Sequence, residues 1–462
     1  MDRAHNQEPD RYRLIIVRRN GSEILVSSNR LDGSLPCLEI SSQHRIAEQL
    51  TKKLIAERGL GAYCLFTFNP TRPDRQTERT KYAVMEALPN NDRAPAAGRW
   101  LPIGGKGSRF VDPPEDNAAI TDAFQEMNTA IGPFARPGWL RELFAWAQSQ
   151  IDPLGLQVTG TIRQLNAGAT FSLIRLETTG PPIWFKATGE PNLHELSVSL
   201  ALARLFPEHV PEILGVHATW NGWLLKDAAG ILLDDCEESF FWEKAARHLA
   251  ALQLASVGKC AELLASGCQD LRLPRLVKLV DPFLARMADL MAAQVRQSPE
   301  PLAITSLALL GERLKEACAL LHEFDLPDTL GHVDCNPGNI VASSTRCFFL
   351  DWAEGCVSHP FLTFEYLREH SRRRQHEDDA AGERMAAAYA RPWVSEVSPD
   401  TVAQAMAISP LVAVFLTAIA HPTWRSVDPL QDPDVAGYFR SLTRRMFREA
   451  AQLAEGRERC LS

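Results

Sequence analysis

Apolar positions along the first 130 residues fall into short runs with strand spacing. YRLIIVRR (12–19) and EILVSS (23–28) flank the turn NGS, which reads as a hairpin. Residues 42–58, SQHRIAEQLTKKLIAER, switch to helical spacing and stop at Gly59. AYCLFTF (62–68), KYAVMEAL (81–88) and GRWLPI (98–103) are further strand candidates. DNAAITDAFQEMNTAI (116–131) is a closing helix. GPFARPG (132–138) is rich in Pro and Gly and marks a boundary, and the amphipathic helix WLRELFAWAQSQI (139–151) leads onward.

The pattern changes near residue 156. VTGTIRQLNAGATFSLIRLETTG predicts two strands joined by a small-residue turn, PPIWFKATG a third strand, HELSVSLALARLF a helix, and GVHATWNGWLLKDAAG two more strands. From about 237 onward the spacing is helical almost throughout, with one interruption at 331–355, GHVDCNPGNIVASSTRCFFLDWAEG. The expected class is α+β: a small α/β domain over 1–135, a linker helix over 136–155, a small β-rich lobe over 156–229 and a large helical lobe over 230–462. The apolar run AMAISPLVAVFLTAIA (405–420) is short for a membrane span and contains Ser409 and Pro410, so it reads as a buried core helix.

Composition narrows the function classes. A chain of 462 residues is too long for one ordinary core. With a net charge of -8 there is no basic surplus to neutralise nucleic-acid phosphates. Ten cysteines are scattered without metal-ligand spacing, which favours reduced thiols in a cytoplasmic chain. The polar start MDRAHNQEPDRYR predicts no signal peptide.

The interruption carries the chemistry. Phosphoryl transfer needs metal ligands that bridge phosphates, a cation on those phosphates, and a carboxylate that takes or orients the proton of the attacking hydroxyl. Mg²⁺ keeps several waters, so one Asp and one Asn suffice beside phosphate oxygens. Asp334 would face the hydroxyl. Asn339, five residues on, and Asp351, after the CFFL run, would hold Mg²⁺. His332 would be structural, its ring bonded to backbone near Asp351. Upstream, Lys186 ends the run IWFK and could reach α/β-phosphates, with Glu195 at the next helix start holding it by an ion pair. NAGATFS (166–172) is small enough for close approach to phosphate.

Each feature has a plain structural reading: a turn after a strand, a loop signal, a snorkelling lysine, a helix-start glutamate. The His-x-Asp-x4-Asn spacing, the strand-borne Asp351 and the upstream Lys/Glu pair, in that order, are far more specific. On these motifs, residues 156 to about 445 resemble the aminoglycoside phosphotransferase/choline kinase superfamily, which has a protein-kinase-like bilobal fold. Its usual loop HGDLHPGN stands here as HVDCNPGN, its strand ending DW as FFLDWAEG, and SHPFLTFEYL (358–367) resembles its next segment.

The resemblance implies an ATP-dependent phosphotransferase acting on a small-molecule hydroxyl. Asp334 would be the catalytic base, Asn339 and Asp351 the Mg²⁺ ligands, and Lys186 with Glu195 the phosphate clamp. The segment Leu225, Asp227 and Ala228 would hold the adenine. Val333 departs from the usual Gly, Asn336 from a common His, and Lys226 from an acidic residue. The alternative is a non-catalytic binding or regulatory protein of the same fold, against which the complete Asp/Asn/Asp/Lys set argues. A protein kinase is disfavoured because HPFLTFEYL follows Asp351 too soon for a long activation segment.

Residues 1–135 resemble a Nudix domain in strand order and in the helix ending KKLIAERGL. Aligned on Gly59, the box positions hold Lys52, Lys53, Ala56 and Glu57, with His44 at the earlier glutamate position. Two lysines and an alanine cannot coordinate Mg²⁺ as carboxylates do, so the resemblance implies a degenerate, non-hydrolytic domain, either a plain α/β accessory domain or a relic that binds a nucleotide-like ligand.

Overall fold

The run LIIV near the N-terminus is apolar at every position because its strand is covered on both faces. In the computed structural model, which describes residues 9–27, 33–41, 45–69, 80–88, 98–103, 114–374 and 379–461, Leu14 and Ile16 enter one core and Ile15 and Val17 another. The chain is α+β and folds as two units, residues 1–196 with 212–227, and residues 197–211 with 228–462.

The first unit begins with β1 (Asp10–Arg18), β2 (Glu23–Ser27), β3 (Cys37–Ile40), α1 (Ile46–Arg58), β4 (Ala62–Phe68), β5 (Thr80–Ala87), β6 (Gly98–Pro102), α2 (Pro114–Thr129) and α3 (Trp139–Ile151). Their sheet runs β4-β5-β1-β2-β6, with β3 also on β1 and β5 parallel to β1. Leu50 and Leu54 of α1 cover one face. Ala119, Ile120 and Ala123 of α2 cover the other.

A second sheet follows, from β7 (Val158–Gly168), β8 (Phe171–Thr178), β9 (Ile183–Ala187), β10 (Ile213–His217) and β11 (Gly222–Lys226); helix α4 (Glu195–Leu205) comes between β9 and β10 in the chain and belongs to the second unit from Ser197 on. Its order is β10-β11-β9-β8-β7, antiparallel throughout. One core serves both sheets of this unit. It holds Ile15 and Val84 from the first, Ile174, Phe185 and Leu224 from the second, and Trp139, Leu140 and Leu143 from α3.

The Pro/Gly stretch at 132–138 adds side chains to this core. Phe134 and Ala135 are buried there, and Phe134 meets Trp139 edge-on at 5.1 Å. The apolar stripe of α3, Trp139, Leu140, Leu143, Ala147 and Ile151, is buried in the same core.

The Gln164 side chain of β7 bridges to the edge strand β4. The Gln164 amide accepts from Cys64 N at 2.7 Å and donates to Cys64 O at 2.8 Å, standing in for a backbone ladder. Beside it, the Arg163 guanidinium donates to the buried Glu48 of α1 at 2.7 Å.

The second unit continues with β12 (Ile231–Leu232), α5 (Ser239–Ala255), α6 (Cys260–Ser266), β13 (Gln269–Leu271), α7 (Leu273–Ala292), α8 (Ile304–Glu323), β14 (Thr329–His332), β15 (Ile340–Ala342), β16 (Cys347–Phe349), β17 (Gly355–Ser358), α9 (Pro360–Arg374), α10 (Asp379–Trp393), α11 (Pro399–Ala420), α12 (Val427–Leu430) and α13 (Pro433–Leu461). Two three-stranded sheets, β12-β15-β16 and β13-β17-β14, are set among the helices. The short strands β13 and β17 were not visible in the apolar pattern. Helix α11 is long and apolar enough to cross a membrane, yet 67% of its most apolar window is buried within the protein, as expected of a core helix.

Candidate functional site

In the second unit the interrupting stretch folds as strand, turn, hairpin. Gly331 on β14 has no room for a side chain, since a Cβ there would lie 2.6 Å from Ser358 Oγ. His332 follows. Its backbone N–H donates to Thr363 Oγ1 at 3.0 Å, and its ring Nε2 lies 2.9 Å from the Leu350 carbonyl. The ring packs on Trp352 at 4.7 Å between centroids. The histidine thus ties the start of the loop to the residue before Asp351. Val333, where the resemblance expects glycine, is buried in the core, so its side chain adds packing and leaves the turn intact.

Asp334 sits at the bend. Asn336 caps the short turn Pro337–Asn339 by accepting from Gly338 N at 2.8 Å. That turn brings Asn339 back to Asp334. Its Nδ2 donates to the Asp334 carbonyl at 3.0 Å and to Asp334 Oδ2 at 3.2 Å. Leu350 N then donates to the Asn339 carbonyl at 2.8 Å, which draws Asp351 alongside. Asp351 is exposed and left-handed, φ 61° and ψ 66°, a conformation costing of order 1–3 kcal/mol that is characteristic of functional turns.

The set suits a hard cation. With the Asn339 nitrogen committed to Asp334, its amide oxygen is the atom left for a metal, and Asp351 adds an exposed carboxylate. Among the described residues no three His, Cys, Asp or Glu side chains converge as an all-protein metal site requires. A cation here would complete its shell from phosphate and water, as Mg²⁺ does.

Sequence reasoning missed Tyr366. This tyrosine on α9 donates its hydroxyl to Asp334 Oδ1 at 3.1 Å. Burial, then the Asp334 charge, pushes its pKa well above the ordinary 10, so the phenol stays protonated. His370 lies one turn on, with its ring 4.9 Å away. Burial pushes its pKa down, so the imidazole stays neutral near pH 7. The segment SHPFLTFEYL was legible as a unit, but nothing local distinguishes this tyrosine from a packing residue.

The first unit holds Lys186, Glu195, Leu225 and Asp227. Lys186, on β9, forms an ion pair with Glu195 Oε1 at the first position of α4. The glutamate side chain is only 2% exposed and the lysine 16%. The ammonium also faces the Trp223 ring at 5.9 Å. The β7–β8 hairpin turns at Ala169-Thr170, between Gly168 and an exposed Phe171. A Cβ at Gly168 would stand 2.3 Å from the Phe171 ring, and one at Gly189 would stand 2.4 Å from Thr170. Both glycines allow this hairpin to lie close.

Leu225 pairs with Trp184 across β9 and β11. Asp227 accepts from Trp184 Nε1 at 2.7 Å, which pins the end of the sheet. Lys226 is exposed and pairs with Glu212 at 3.2 Å. Ala228, half-buried, opens the second unit. The predicted residues therefore fall into two groups, one in each unit.

On α1, Lys52 pairs with Glu48 at 2.7 Å and the Lys53 ammonium rests on the Glu39 carbonyl. Both lysines are thus engaged with acceptors of their own domain. His44 lies outside the described residues.

No protein-family model matches the chain, and no curated protein matches it. Among the solved structures it is similar to are small-molecule phosphotransferases and kinases. An ethanolamine kinase from Plasmodium vivax shares 10% identity at a TM-score of 0.47, over 72% of this chain and 93% of that one. A macrolide 2'-phosphotransferase from Brachybacterium faecium shares 15% at 0.43, over 65% and 98%. A choline kinase from Streptococcus pneumoniae shares 14% at 0.43, over 67% and 99%.

Proposed function

We propose that this chain is a small-molecule kinase that transfers the γ-phosphoryl group of ATP to a hydroxyl. The observation that carries the reading is the loop in which Asp334, Asn339 and Asp351 are drawn together by the His332–Leu350, Asn339–Asp334 and Leu350–Asn339 hydrogen bonds. Asn339 and Asp351 would hold Mg²⁺, which when bound neutralises charge on the phosphates. Asp334 accepts the proton of the acceptor hydroxyl as that oxygen attacks. His332 positions the loop.

Lys186, oriented by Glu195, would hold α- and β-phosphate oxygens, and the backbone of Leu225, Asp227 and Ala228 the adenine. The Asp227–Trp184 hydrogen bond supports a fixed hinge strand. The nine cysteines from Cys37 to Cys356 are all unpaired, which supports residence in the reducing cytoplasm. The N-terminal domain is proposed to be non-hydrolytic, because it lacks carboxylates that a Nudix reaction needs. Lys53 and Ala56 stand where the box needs carboxylates, and Glu57 alone remains.

The test is a screen of amino alcohols, sugars and hydroxylated antibiotics for ATP-dependent phosphorylation by the full chain, with Asp334→Asn as control. A positive acceptor should lose about 10²–10⁴-fold in kcat with Asp334→Asn, with little change in KM for ATP. A control equal to wild type would overturn the assignment of Asp334.

A further inference from the structure

Asp334 is held at both carboxylate oxygens. Asn339 Nδ2 donates to Oδ2 from within the loop, and Tyr366 Oη donates to Oδ1 from helix α9. A carboxylate turns broadly about its terminal torsion. Two donors on opposite oxygens remove that freedom.

The two donors differ in what stands behind them. Asn339 belongs to the same short turn as Asp334, so it moves with it. Tyr366 stands on a helix anchored in the core, where Phe361, Phe364 and Leu367 have no exposed surface and Phe364 stacks on Tyr389 at 3.9 Å. Thr363, three residues before Tyr366 and so on the same helix face, already receives the His332 N–H at 3.0 Å. One face of α9 therefore touches the loop on both sides of Val333.

We propose that Tyr366 is a positioning residue for the phosphotransfer reaction, holding the Asp334 carboxylate in the one orientation that meets the acceptor hydroxyl. The proposal rests on the kinase reading for its functional half and on geometry for its structural half. The phenol suits the task because it supplies a single O–H on a rigid ring with two torsions, and its proton stays on at any working pH. A loop carboxylate held only by Asn339 would sample other orientations, and misplacement of a reacting group by about 1 Å can cost 10²-fold in rate.

Tyr366→Phe tests this, because it keeps the ring against His370 and removes only the hydroxyl. In the full chain, kcat with an identified acceptor should fall by about 10–100-fold, while KM for ATP and the dependence on Mg²⁺ stay at wild-type values. An unchanged kcat, or an equal loss in ATP affinity, would overturn the proposal. A second readout needs no turnover. The chain has six tyrosines, so a sample labelled at the tyrosine ζ-carbon gives a simple ¹³C spectrum. The resonance missing in Tyr366→Phe should shift in Asp334→Ala. If it does not move, the contact is absent and the proposal fails. If it moves while no acceptor is ever phosphorylated, the contact stands and it is the kinase reading that has failed.

Discussion

Burial decides what Lys186 and Glu195 do. An exposed pair contributes about 0–1 kcal/mol, but this glutamate is buried, and removing the partner of a buried charge costs about 3–5 kcal/mol. Lys186→Met should therefore lower the melting temperature as well as weaken ATP binding. Lys186→Met combined with Glu195→Gln should recover the melting temperature, since no buried charge is stranded, while ATP binding stays weak. Thermal melts and ATP titrations of both variants separate the roles. Recovery of ATP binding in the double variant would show that Lys186 does not serve the phosphates. The Asp334, Asn339 and Asp351 set was legible because its spacing is local and chemically specific. Tyr366 was not, because its contact with Asp334 spans 32 residues and depends on where α9 packs.

Among elements, the five strands β7 to β11 were legible from alternation and small-residue turns. The strands β13 and β17 were not, because three or four residues give no period and their pairing is fixed by the helices around them. The joint between β4 and β7 was equally hidden, as nothing near Gln164 in sequence points to Cys64. Gln164→Leu keeps much of the volume but leaves the Cys64 N–H and C=O without this partner, at about 1–3 kcal/mol for each buried group. Calorimetry should show a clear fall in stability, and an unchanged melting temperature would mean that the amide clamp is dispensable.

Helix α9 also carries a titrating element. Glu365 is buried, and burial, opposed by Arg368, pushes its pKa up to about 7. The raised value means that the folded state keeps a proton that the unfolded chain has lost. The contribution of this group to stability therefore falls as pH rises from about 4.5 towards 7. Glu365→Gln cannot lose that proton, so melting curves of the variant should decline less than wild type over this range. Parallel pH profiles for the two proteins would contradict the assignment.

At the scale of the whole molecule, residues 1–135 were read as a separate domain, and their strands and helices stand where the pattern put them except β3, whose four residues give no period. Their separateness was not visible in sequence either way, because a shared core is a tertiary fact. Ile15, Phe185 and Trp139 lie 15 to 185 residues along the chain and meet in one cluster. The central claim concerns metal-dependent use of nucleotide, and the most direct measurement is calorimetric titration of ATP into the full chain with and without Mg²⁺. The wild type should bind ATP more tightly when Mg²⁺ is present. Asp351→Ala, at an exposed turn with little packing to lose, should melt with wild-type cooperativity and show no gain from Mg²⁺. Failure of the wild type to bind ATP, or the same Mg²⁺ gain in Asp351→Ala as in wild type, would contradict the account.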